Sequence, residues 1–215
     1  MMKRVFWIFA ISLSLGLSSC IDLIDEIKLN EDKSGTVFIG IESKILGSIM
    51  AMAKEQISPT AIESLEGFPN ESKDKLKNMK GITNVKSFNQ MSHGRIGISF
   101  DFINSKALNQ AYYTLLDMEK TWYSPNIVKI SKHKIYRRNL SPQLVKNLNK
   151  SMPELKNSEY LKYFKLKSIV RLPSESKSII YGAKQNLKNT KEVIMYYSFD
   201  DILNKEKSTS YKIKF

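Results

Sequence analysis

The chain contains a single cysteine, Cys20, and it follows directly on an apolar run. That run, residues 5–16, is twelve residues long and is preceded by the cationic start Met1-Met2-Lys3-Arg4. A helix needs about 20 apolar residues to cross a bilayer. The stretch therefore has the length of an export signal rather than of a permanent span. Whatever folds in this chain must be built from the residues after Cys20.

The residues that close the apolar stretch, Leu17-Ser18-Ser19-Cys20, resemble the bacterial lipobox. The chemistry of that motif explains the pattern. A diacylglyceryl group is transferred to a thiol, so only cysteine can stand at position 20. A peptidase then cuts the bond before it inside the membrane, so the preceding residues must be small. At about 0.8 kcal/mol per buried CH₂, two acyl chains hold a protein stably on a membrane. Acylation also removes the oxidation liability that one free thiol would bring to an exported protein. Residues 1–19 are thus expected to be a lipoprotein signal peptide, with the mature chain tied to a membrane through lipid on Cys20.

The mature part is long enough for one domain or two small ones, and its 42% hydrophobic and 10% aromatic content is that of an ordinary globular protein. Lys and Arg number 34 against 21 Asp and Glu, with the excess spread along the length. Such a surface suits an anionic lipid, an acidic polymer or nucleic acid, or serves solubility alone. Export sets nucleic acid aside.

Residues 21–29 and 36–42 alternate in polarity and flank the turn formers Asn30-Glu31-Asp32-Lys33-Ser34-Gly35, so they read as a β-hairpin. Ile21, Leu23, Ile27 and Leu29 share a side, and Asp25 falls on that apolar side. The strand begins almost at the anchor, which should hold the folded body close to the headgroups. Residues 44–57 change to a helical stripe. Ser58-Pro59 opens a second helix, Gly67-Phe68-Pro69 breaks it, and Asn70 caps a third piece that Gly81 stops. Residues 82–88 and 95–102 form the next strand pair. Leu108, Ala111, Tyr112 and Leu115 mark an amphipathic helix from Ser105, and residues 126–138 read as one long or two short strands. This order matches the split βαβ plan of ferredoxin-like domains.

Ser141-Pro142 opens another helix. From Leu161 the pattern is all β, with strands at 177–181, 192–199 and 208–215 and a helical turn at 200–203. The expected fold class is α+β: an antiparallel sheet with helices on one face, a ferredoxin-like core at 20–140 and a β-rich part at 141–215. Periodicity leaves open whether that last part extends the first sheet or makes its own.

Asp25-Glu26-Ile27-Lys28-Leu29-Asn30 with the Lys33-Ser34-Gly35-Thr36 turn, Lys80-Gly81-Ile82-Thr83-Asn84-Val85 and Arg171-Leu172-Pro173 together resemble lipoproteins of Bacteroidetes-type bacteria, distantly similar to the LppM-like lipoprotein domain. The resemblance implies an anchored α+β domain without catalytic residues, and a link to glycolipid binding that carries no residue positions to this chain.

Chemistry-bearing motifs are sparse. His93 and His133 lack the further ligands or nucleophile that a metal site or triad needs. Asn30-x-Asp32-x-Ser34-Gly35 imitates the start of a calcium loop, but Ile41 stands where the bidentate Glu is due; turn chemistry explains these residues. No metal or other cofactor is expected. Lys129, Lys132, Lys134, Arg137 and Arg138 form the densest basic run. Tyr163, Lys165, Lys167 and Arg171 share a strand face, and if the two strands neighbour each other they make a basic platform for phosphate headgroups or lipopolysaccharide. The terminal Tyr211-Lys212-Ile213-Lys214-Phe215 resembles the last strand of outer-membrane barrels, but so helical a chain lacks the strands for one, and it reads as the closing strand of a soluble sheet. The expected role is a non-enzymatic binding module in the cell envelope, at the outer membrane facing the periplasm, with an envelope protein, anionic lipid or glycan as partner. The alternative is an enzyme acting on envelope polymers by carboxylate catalysis.

Overall fold

The computed structural model describes residues 21–43, 59–90, 94–151, 164–180, 184–185, 191–204 and 208–215. The expected helix at 44–57, Cys20, His93 and Tyr163 lie outside the described residues.

The hairpin forms as its alternation requires. Strand β1 (Ile21–Leu29) pairs antiparallel with β2 (Gly35–Glu42). Helix α1 (Pro59–Leu76), β3 (Ile82–Gln90), β4 (Arg95–Phe102) and α2 (Ser105–Leu115) follow. Two short strands, β5 (Val128–Ser131) and β6 (Lys134–Arg137), come next, then α3 (Ser141–Ser151) and β7 (Phe164–Arg171). The remainder is β8 (Ser178–Ile180), β9 (Lys184–Gln185), β10 (Glu192–Ser198), α4 (Phe199–Leu203) and β11 (Tyr211–Lys214).

The fold class is α+β, in two sheets. The larger has the order β3-β4-β2-β1-β7-β10-β9 and the smaller β5-β6-β11-β8. All neighbours run antiparallel except β1 and β7. The late strands divide between the sheets: β7, β9 and β10 extend the large one, while β8 and β11 join β5 and β6 in the small one.

The ferredoxin-like expectation holds for three strands and fails at the fourth. β2, α1 and β3 make the split unit, with β4 inserted between β2 and β3. The fourth strand should lie on the free side of β2, but β1 occupies that place and β5 departs for the small sheet. The departure is fixed by a buried side chain. Asn109 on α2 accepts from the backbone N–H of Ile127 (2.6 Å) and Val128 (3.0 Å) and donates to the Val128 carbonyl (2.6 Å). Ser105 Oγ donates to the same carbonyl at 2.9 Å. These bonds satisfy the backbone at the start of β5 and pin it to the helix rather than to the sheet.

Two punctuation marks were expected to end helices and do not. Gly67-Phe68-Pro69 does not break α1, which runs through Pro69. Proline removes one backbone donor from the helix ladder; here Phe68 packs on the core and Pro69 is buried, so packing outweighs the lost bond. Gly81 is not a helix stop, because α1 ends at Leu76. It shapes the turn into β3, with φ +84° and the Ile103 N–H bonded to its carbonyl at 3.1 Å. A Cβ there would also lie 2.9 Å from Ala107 Cβ.

The face of the large sheet that carries Ile27, Val37, Ile98, Phe100, Phe102 and Val170 is its inner face. On it lie Leu76 of α1, Leu108 and Ala111 of α2, Ile202 of α4, and the small sheet through Val128, Ile135 and Ile213, all in one core. The result is two layers, the large sheet beneath and helices with the small sheet above. The outer face carries a minor apolar cluster of Ile24, Phe38 and Ile169. There Gly40 and Gly97 stand opposite each other on β2 and β4, and a Cβ on either would run into the Phe38 ring and the neighbouring backbone.

Candidate functional site: an apolar cavity beside a buried charge pair

The alternation of β1 that buries Ile27 and Leu29 also turns Asp25 inward, where it is 5% exposed. A lone carboxylate in that position would be costly. It is met from two elements. Arg137, at the end of β6, is equally buried and pairs with Asp25 through Nη1 and Oδ2. Tyr112 of α2 donates its hydroxyl to Asp25 Oδ1 at 2.6 Å. The guanidinium also stands 5.1 Å from the Tyr112 ring centroid, a cation–π distance. Tyr211 of β11, which faces Arg137 across the small sheet, is fully buried beside it.

Burial dominates the electrostatics of this cluster. It raises the Tyr112 hydroxyl well above the ordinary phenol range, helped by Tyr211. It raises Tyr211 to about 12, against the opposing pull of the Arg137 charge. Tyr197 of β10 is raised for the same reason. Desolvation lowers Arg137, yet a guanidinium keeps its proton in proteins. The cluster is thus one neutralised ion pair wrapped in neutral phenols, and it ties β1 of the large sheet to β6 of the small one.

Next to it lies a cavity of about 280 Å³. Its floor is the inner face of the large sheet: Leu23, Ile39, Ile41, Ile96 and Leu166. Phe68, Leu115, Leu116, Leu140 and Leu144 of the upper layer close over it. Asp25, Tyr112, Arg137, Ser168 and Thr209 are its polar edge. Thr209 is spoken for, since its Oγ1 accepts from the Leu140 N–H at 2.8 Å and bonds Asn139 at 3.1 Å. Walls of this kind accept hydrocarbon, and they offer one carboxylate already engaged by a cation and a phenol.

The basic residues singled out in the sequence divide between two places. Lys129, Lys132, Lys134 and Arg138 are exposed on and just after the β5–β6 hairpin, whereas Arg137 alternates inward to Asp25. Lys165, Lys167 and Arg171 lie on the outer face of β7, whose neighbours are β1 and β10, so the two strands do not join into one platform. Arg171 bonds Glu26 at 2.6 Å and pairs with Glu192, contacts that raise its pKa. Lys167 Nζ stands 5.9 Å from the Tyr196 ring.

His133 is exposed in the β5–β6 turn. The Asn30–Gly35 turn is held by its own side chains. Asp32 Oδ1 accepts from Ser34 Oγ (2.6 Å) and N (3.0 Å), which holds its carboxyl below the usual range. Among the described residues, no group of three or more His, Cys, Asp or Glu is placed to hold a metal ion, and no helix is long and apolar enough to cross a membrane. The cavity was not foreseen from the sequence. Its one legible trace was Asp25, a charge on the apolar side of an alternating strand.

No protein-family model matches the chain, and no curated protein does. The Bacteroidetes-type family thus finds no support in these comparisons. Among solved structures, the NMR structure of the folded domain of LppM from Mycobacterium tuberculosis is similar. The alignment covers 91% of this chain and 88% of that one, with a TM-score of 0.44 and 10% sequence identity. Similarity at that level leaves the role of this chain to its own residues.

Proposed function

We propose that this chain is a lipid-anchored envelope lipoprotein, tied to a membrane through Cys20, and a non-enzymatic binding module whose cavity takes the hydrocarbon part of an envelope lipid. The observation that carries the binding role is the cavity itself, walled by leucine and isoleucine from both layers. Burying an acyl chain there gains about 0.8 kcal/mol per CH₂. The volume is near the lower end of small-molecule pockets, which fits one chain rather than a whole lipid. Leu-Ser-Ser-Cys supports the anchor. The non-enzymatic reading is supported by Asp25, among the described residues the one carboxylate lining the cavity, whose two oxygens are engaged by Tyr112 and Arg137. An acid–base pair needs a second carboxyl free to titrate.

Extraction of lipid from protein purified out of its membrane tests this. Wild type should release lipid, Leu23→Trp should release far less because the indole fills the cavity, and Lys129→Glu/Lys132→Glu/Lys134→Glu should release as much as wild type. Loss of lipid in the triple variant with retention in Leu23→Trp would move the binding site to the basic hairpin. The placement at the outer membrane, facing the periplasm, is part of the same proposal and is read from fractionation of intact cells.

A further inference from the structure

We infer that the cavity is filled from the same bilayer that holds the anchor, by an acyl chain that passes into it without crossing water. The inference rests on the lipoprotein reading above and adds where the ligand comes from.

Strand register carries it. Cys20 directly precedes Ile21, the first residue of β1. Ile21 stands opposite Phe164, the first residue of β7. Asp22 stands opposite Glu42 at the end of β2, and Glu42 opposite Arg95 at the start of β4. These residues mark the anchor end of the large sheet. Leu29, Gly35, Phe102 and Arg171 mark the far end by the same registers.

The inward-facing strand residues that line the cavity run from the middle of the large sheet to its anchor end, and none lies in the far half. They are Leu23 and Asp25 on β1, Ile39 and Ile41 on β2, Ile96 on β4, and Leu166 and Ser168 on β7. The helices agree. α2 starts beyond Phe102 at the far end and runs back, and it lines the cavity through Leu115 and the following Leu116 at its C-terminal end. Leu23 is three residues from the acylated position, about 10 Å of extended strand. No linker intervenes to carry the domain away. A cavity set in the far half of the sheet would need its ligand delivered through water, where each exposed CH₂ opposes transfer. This one lies within a few residues of the headgroups.

Two sources share the chemistry, a neighbouring lipid and one of the protein's own chains on Cys20, and one experiment separates them. The full chain is produced with p-benzoylphenylalanine in place of Leu115, and in a second preparation in place of Leu116. Each is purified with its membrane vesicles and irradiated. A mass gain of one phospholipid identifies a neighbouring lipid. A crosslink between the helix peptide and the acylated Cys20 peptide identifies the protein's own chain. Either result supports the inference, and no lipid crosslink at either position overturns it. In a companion variant, about 20 Gly and Ser residues inserted between Cys20 and Ile21 let the domain stand off by roughly 25 Å. Crosslinking should then fall several-fold, and undiminished yield overturns loading from the anchor's bilayer. Intact mass before irradiation keeps the two readings apart: a chain without acyl mass removes the anchor, and this inference with it, whereas an acylated chain without a lipid crosslink removes only the loading.

Discussion

Replacing Arg137 with Met is the sharpest perturbation of this fold. The Arg137 and Asp25 side chains are each only 6% exposed, so the pair is shielded from water on both sides. Methionine fills much of the volume of arginine but leaves the Asp25 carboxylate with the Tyr112 hydroxyl on Oδ1 and no cation on Oδ2. Breaking a buried pair by removing one partner costs about 3–5 kcal/mol. That is a large share of the 5–15 kcal/mol that holds a typical domain. Substituting both residues, Asp25→Leu with Arg137→Met, removes the uncompensated charge. It should return stability to within about 1 kcal/mol of wild type or above it. Tyr112 then loses its acceptor, which sets the shortfall. Urea unfolding of the Cys20→Ser protein, followed by circular dichroism, measures all four corners of the cycle. If Arg137→Met alone costs under about 1 kcal/mol, or the two substitutions simply add, the charges are not buried together and the account of the two-sheet junction is wrong.

Other consequences follow from single contacts. Asn109→Ala strips partners from the backbone of Ile127 and Val128; it should cost about 2–4 kcal/mol and speed hydrogen exchange at those two amides, and unchanged exchange would show that another group holds β5. Gly97→Ala places a Cβ 2.5 Å from the Ile39 carbonyl oxygen and 3.0 Å from the Phe38 ring. It should destabilise by about 1–3 kcal/mol in the same urea assay, and a neutral result would mean that β2 and β4 can part there at no cost. Alkaline pH should unfold the protein through its buried phenols. Tyr211 is raised from 10.0 to about 12 in the folded state. A raised value favours the protonated fold, so that contribution is whole below pH 10 and is lost as pH climbs to about 12. At about 1.4 kcal/mol per pH unit the loss is about 2–3 kcal/mol. Tyr211→Phe should flatten that slope, and a wild-type unfolding midpoint that does not move above pH 10 would contradict it.

Much of the architecture was legible because it is periodic. The alternation at 21–29 and 36–42, the stripe Leu108–Ala111–Tyr112–Leu115 and the inward set Ile96, Ile98, Phe100 and Phe102 are local patterns, and each became the expected element. The misses are long-range. The hairpin already sets β1 beside β2, but nothing local tells that β5 leaves for the small sheet, since that depends on the Asn109 side chain reaching Ile127 and Val128. Pro69 reads as a break because the sequence does not show Phe68 packed on the core. The site was nearly silent. Arg137 looked like one cation in a basic run, and only the fold shows that its neighbours face solvent while it faces Asp25. The cavity needs eight helices and strands and the segments at Leu140 and Thr209 to come together, and no spacing encodes that.

The anchor at Cys20 underlies the proposed role and gives the cavity's position its meaning. Intact mass of the protein purified from the membranes of its own cells tests it most directly. The account predicts a polypeptide that begins at Cys20 and carries the added mass of a diacylglyceryl group, with or without a further N-acyl chain. A polypeptide that starts elsewhere, or has Cys20 as a bare thiol, would contradict it.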